Sequence, residues 1–203
     1  MLKRLTRGQD GTATIEFAIV LSVMLVMFIG AYVVADMIAC YRKVTTTTRA
    51  LTDLVSRSVS PSVGTSTTTI TTYINSAGLV LSPFATANST LQISQLRVCD
   101  ATHAYVQWSQ AQTGGTSVTP SLAAGTVVAI PANLVTSPMI PTSPDRSNVC
   151  SNTSAGTNKT QVGTAGGYLY FGQVAYAYTA AINLGTPFTT NLSDQIYMSP
   201  RLN

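Results

Sequence analysis

An unbroken apolar run dominates the first part of the chain. Phe17 to Ala35, FAIVLSVMLVMFIGAYVVA, holds no charged residue, and at 1.5 Å per residue it covers about 28 Å, close to the hydrocarbon thickness of a bilayer. This predicts a transmembrane helix. Past Asp36 the pattern turns amphipathic. Met37, Tyr41, Val44, Thr48, Leu51 and Val55 recur at alternating spacings of four and three, with Ile38 and Leu54 alongside, the stripe of a helix with one apolar face. Arg42, Lys43, Arg49, Asp53 and Arg57 fall mainly on its other faces. From Thr12 to Arg57 the reading is one helix, about 69 Å long if unbroken. The β-branched run Thr45–Thr48 is its weak point, where a bend is expected. The stripe serves equally well for packing on the chain's own outer domain or on a neighbouring molecule.

After residue 57 the periodicity changes. Ser58 to Ser66, with Pro61 and Gly64 among small polar residues, reads as a linker. Thr67 to Leu81 has strand propensity in its threonines, but Ile70, Ile74 and Leu81 approximate a helical face, and a short helix is expected. Strand signals follow over Thr90–Cys99, where the alternation shifts between Ile93 and Leu96, then over His103–Gln110, Thr126–Ile130, Tyr168–Asn183 and Ile196–Ser199. Gly172 reads as a bulge. Pro131–Pro144 and Ser147–Gly167 are loop material. Strands without regular intervening helices imply an antiparallel sheet. The expected fold is α+β, a long N-terminal transmembrane and stem helix followed by a small antiparallel β-sheet domain. The expected division is 1–11 as a leader, 12–57 as membrane helix and stem, 58–66 as linker and 67–203 as a β-rich domain.

Composition sharpens this picture. Only 9% of the 203 residues are charged, against about 25% in an ordinary soluble domain, and the mean hydropathy is +0.27. The net charge of +4 is concentrated at the membrane flanks: residues 1–57 carry seven basic and four acidic groups, the rest only four and three. So sparse a positive charge builds no phosphate-binding stripe, and no nucleic-acid partner is expected. Lys3, Arg4 and Arg7 precede the apolar run, which by the positive-inside rule keeps the N-terminus in the cytoplasm and the larger part of the chain outside. A cleaved signal peptide ending near Ala35 and a lipoprotein-like box at Met37–Cys40 compete less well. The apolar run is too long for the first, and Asp36 and a leading Met disfavour the second.

Glu16 is the odd residue, a carboxylate opening an apolar run, where it costs about 2–4 kcal/mol unless paired or reaching the interface. It stands in Gly11-Thr12-Ala13-Thr14-Ile15-Glu16-Phe17 behind a short basic leader. This arrangement of a glycine, four residues, a glutamate and an aromatic resembles the cleavage site of type IV prepilins, more narrowly the Flp/Tad class. The stretch from Arg7 to about Arg57 is similar to the TadE-like domain of Tad pilus assembly proteins, over about a quarter of the chain. Thr12 departs from secretion pseudopilins, which usually carry Phe or Met there. The resemblance implies cleavage by a prepilin peptidase between Gly11 and Thr12, with Glu16 and Phe17 setting register in assembly. A glycine before the scissile bond opens the backbone to a protease, and a new amine at Thr12 lies one helical turn from Glu16.

The resemblance further implies a minor pilin-like subunit in the inner membrane, with other pilus subunits, Tad assembly-platform proteins, the peptidase and the lipid bilayer as partners, acting in pilus biogenesis and surface adhesion. The alternative is an unprocessed, single-pass anchored protein whose outer domain binds a partner. Outside the cytoplasm Cys99 and Cys150 are expected to form a disulfide, with two independent thiols as the other reading. Cys40 reads as a small apolar residue on the helix. Chemistry is not expected. His103 is the one histidine, no zinc spacing or hydrolase motif occurs, and pairing His103 with Asp100 and some serine is chance in so Ser-rich a chain. The chain is therefore read as no enzyme, with no cofactor and no metal.

Overall fold

The computed structural model describes residues 10–58, 66–140, 167–182 and 187–201. Its elements are α1 (Asp10–Ser58), α2 (Thr67–Gly78), β1 (Ser89–Val98), β2 (His103–Thr113), β3 (Thr116–Val118), β4 (Val127–Ala129), β5 (Tyr168–Thr179) and β6 (Thr189–Met198). The α+β layout is the expected one, a long apolar N-terminal helix followed by a small antiparallel sheet. The chain divides into two compact units, Met1–Ala39 with Thr179–Thr189, and Cys40–Tyr178 with Thr190–Asn203.

In the larger unit the strands run β3-β2-β1-β5-β6, and β4 adds to β2 on the same edge as β3. β1 is the centre, antiparallel to both β2 and β5, and all but one of its residues are buried. The expected shift in alternation is a β-bulge. Gln95 faces Trp108 and Leu96 faces Val106, leaving Gln107 as the extra residue on β2. Gly172 is not a bulge, contrary to expectation. It sits in regular register opposite Ile93, and a Cβ there would run into the Thr52 hydroxyl and come within 3.2 Å of Thr52 Cβ. The missing side chain lets α1 lie close on β5.

That contact explains the stripe. Val44, Thr48, Leu51 and Val55 are fully buried, so the stem packs on the chain's own domain. The stripe is one residue out of phase at its start. Cys40 is buried and Tyr41 is 46% exposed. Nor does the threonine run interrupt the helix. Thr45, Thr46, Thr47 and Thr48 each donate a hydroxyl to the carbonyl four residues back, at 2.8–3.2 Å, which satisfies their polar groups against the helix itself.

On the helix-bearing face of the sheet lie Leu91, Ile93, Tyr170, Val174 and Tyr176, all buried. α2 packs on β1 and β2 through Ile70, Ile74 and Ala77, and Phe84 meets Tyr176 edge to face at 6.1 Å. The tyrosine alternation seen in the sequence puts Tyr170 at the centre of this core. Gln95 Nε2 donates to its hydroxyl at 3.4 Å, and burial pushes its pKa up to about 12 against that bond. The opposite face is half apolar and half polar. Leu96, Val98, Ala104, Val106, Ile130, Leu169 and Phe171 form a second core. Beside it Ser121 donates from its N–H and its hydroxyl to Gln92 Oε1, both at 2.8 Å, and the Ser94 and Ser109 hydroxyls meet at 2.6 Å.

β6 begins seven residues before the expected Ile196 and β5 ends four before Asn183. The short β3 was not foreseen. Most of the linker, residues 59–65, and most of the second loop region lie outside the described residues.

Candidate functional site

The residues singled out for processing and assembly lie at the start of α1. The helix already includes Asp10, so the Gly11–Thr12 bond is helical, and residues 1–9 lie outside the described residues. A Cβ at Gly11 would meet nothing within 4 Å. The glycine is therefore not demanded by packing, although it costs the helix roughly 1 kcal/mol against alanine. That cost loosens the backbone at the bond in question. Glu16 is exposed, and among the described residues it has no ion-pair partner. Phe17 is 66% exposed. All three stand on an accessible helix, and among the described residues none packs them into the fold.

From Ile15 to Phe28 every residue of α1 is exposed, Met27 and Phe28 by 71% and 75%. The helix is long and apolar enough to cross a membrane, and none of the residues in its most apolar stretch is buried in the chain. So much bare aliphatic surface is unfavourable in water, at about 25 cal/mol per Å².

At the far end of β1, Cys99 is buried and disulfide-bonded, while the buried Cys40 stands outside any disulfide. Cys150, its expected partner, lies outside the described residues. Arg97 is also buried, its guanidinium 5.6 Å above the Tyr168 ring.

Asp100, Thr102 and His103 form the turn from β1 to β2. Burial pushes the Asp100 carboxyl up, but donation from the Thr102 N–H, the His103 ring, the Thr102 hydroxyl and the His103 N–H outweighs it and holds the pKa below the usual value. The carboxylate accepts the Thr102 and His103 N–H groups at 2.7 and 2.8 Å, and His103 Nδ1 stands 3.1 Å from it. The histidine thus starts a strand at the surface, as expected, and its ring nitrogen is engaged with the turn. Among the described residues no group of three metal-ligating side chains occurs.

Two features had a weaker signal in the sequence. Ile182 and Phe188, 38% and 50% exposed, follow β5 and precede β6. Their signal was the uncharged stretch 179–189, TAAINLGTPFT. The second is the C-terminal clamp on α1, where Arg201 donates its N–H to the Ser56 carbonyl at 3.0 Å and its guanidinium reaches Asp53 at 3.3 Å. Arg57 joins the same carboxylate at 3.0 Å.

These observations define a class of protein, a small β-sheet domain on one N-terminal helix long and apolar enough to span a membrane. Beyond that class, no family model, no curated protein and no solved structure matches the chain.

Proposed function

We propose that this chain is a pilin-like minor subunit of a Tad/Flp-type pilus apparatus, cleaved between Gly11 and Thr12 and acting in pilus biogenesis and surface adhesion, with no catalytic activity of its own. One observation carries the reading. Gly11, Glu16 and Phe17 occupy an exposed apolar helix where the described residues give none of them a task. A carboxylate kept at the start of such a helix calls for a partner outside the chain, because a charge buried without one is strongly unfavourable. In an assembly the amine created at Thr12 of a neighbouring subunit supplies that partner. The spacing, the small β-domain and the helix length agree with this use.

On this reading the N-terminus stays in the cytoplasm, the β-domain lies outside the inner membrane, and the partners are other pilus subunits, assembly-platform proteins and the peptidase. The alternative, an unprocessed anchored binding protein, shares the fold and differs in what Glu16 does. Glu16→Ala decides between them in cells that build the pilus. Under the subunit reading, the variant inserts and accumulates normally but loses co-purification with other pilus components by roughly tenfold, the scale of an interaction of a kcal/mol or more. Under the anchored reading co-purification and surface attachment are unchanged, since removing a charge from an apolar run favours the membrane.

A further inference from the structure

The smaller unit contains more than a bare helix. Along α1 from Gly11 to Ala39 only Ile29, Val33, Asp36 and Met37 are less than exposed. Their spacings of four, three and one put them on one helix face. What meets that face are Ile182, just past β5, and Phe188, just before β6. Val26, Ile29, Gly30, Val33, Val34 and Met37 line an apolar cleft of about 360 Å³ together with Ile182 and Phe188.

The depth of this contact identifies what surrounds it. Val26 to Val34 belongs to the uncharged run, so a segment touching it stands at the level of the outermost two to three helical turns of the span. Tyr32, 48% exposed, is an aromatic of the kind that sits at headgroup level, and Asp36 follows one turn later. The cleft therefore lies between the interface and the upper hydrocarbon, away from the bilayer centre.

The hairpin is suited to that place in three respects. The stretch 179–189 carries no ionisable side chain. Its apolar side chains Ile182 and Phe188 stay substantially exposed even beside the helix. Its neck is closed by the Ala180 N–H donating to the Phe188 carbonyl at 2.9 Å, which pairs those two backbone groups where the segment approaches the apolar layer. Gly30 adds room, since a Cβ there would meet nothing within 4 Å.

We propose that Ile182 and Phe188, at the adjoining ends of β5 and β6, are a second membrane contact, an apolar wedge seated in the leaflet on the β-domain side, with lipid acyl chains filling the cleft between them and the Val26–Met37 face of α1. The proposal rests on α1 spanning the bilayer, and the test separates the two. In the full chain carrying Cys40→Ala and kept free of reductant, one further cysteine introduced by Leu25→Cys, Phe188→Cys or Ile182→Cys is labelled with an environment-sensitive fluorophore, with the Cys40→Ala parent, which should take up no label, as the control. Each protein is reconstituted into phosphatidylcholine and phosphatidylglycerol vesicles with or without doxyl-labelled lipid.

The label at 25 reports whether α1 spans, and those at 188 and 182 report the wedge. The proposal expects doxyl lipid to quench all three, by roughly half or more at 188 and 182, with little quenching by aqueous iodide, as for side chains seated about 5–10 Å below the headgroups. Quenching at 25 together with iodide-accessible labels at 188 and 182 overturns the wedge and leaves the anchor standing. Labels at 188 and 182 shielded from both quenchers show a protein, such as a second copy of this chain, in place of lipid, and also overturn it. Absence of lipid quenching at 25 overturns the anchor and the wedge together.

Discussion

Gly172 holds α1 against the sheet more closely than any residue with a side chain would permit. The obstacle is a single hydroxyl and the carbon that bears it, both belonging to Thr52. Gly172→Ala should therefore destabilise the β-domain by about 1–3 kcal/mol, the range for overpacking a filled core. In a Thr52→Ala background the cost should shrink but not vanish, because the Cβ of residue 52 stays at 3.2 Å. Denaturant unfolding of the four proteins measures this coupling, and an equal cost in both backgrounds would refute the contact. In the sequence Gly172 was conspicuous as a glycine inside a strand, but a bulge and a close approach leave the same sign there. Only the partner helix distinguishes them. The same limit accounts for Tyr41. A spacing of three or four is satisfied by residue 40 or 41, and hydropathy favours the aromatic, yet the space beneath the helix takes the small Cys40.

Elements with a clear apolar period or run were the legible ones. α1 and α2 announced themselves by period. β1 gave its strand and its bulge, since the alternation breaks where Gln95 and Leu96 change partners. β5 was visible in its alternating tyrosines. The first half of β6 was not, because it is an edge strand alternating exposed with half-buried residues, and Thr189, Thr190, Asn191 and Ser193 provide no apolar signal. β3 is three residues long and wholly exposed. At the end of β1, Cys99 ties an otherwise fully packed strand to another part of the chain, and we propose Cys150 as its partner. A bridge across that stretch closes a loop of roughly 50 residues and contributes about 4 kcal/mol in the chain-entropy model. Peptide mapping of exported protein without reductant should recover the Cys99 and Cys150 peptides linked. Recovery of both as free thiols would contradict the pairing.

At the scale of the whole molecule, the two units pose opposite problems of burial. The β-bearing unit satisfies its own apolar surface, with two cores on the two faces of one sheet. The other unit leaves Ile15 to Phe28 bare, which a bilayer or neighbouring helices must cover. Fold class and a helix long and apolar enough to span a membrane were readable because both are written in hydrophobic period and run length. The candidate site was readable only as a motif, since among the described residues nothing crowds Gly11 and both Glu16 and Phe17 are exposed, and the role proposed for them lies in what is done to the chain and what binds it. The account's central claim is that the bond between Gly11 and Thr12 is cut. Intact-mass and N-terminal sequencing of the protein recovered from membranes of a host with an active prepilin peptidase tests it most directly. The account predicts a mature chain starting at Thr12, and a matched host lacking the peptidase should yield the uncut form. A chain starting at Met1, Asp36 or Cys40 in the competent host would contradict it.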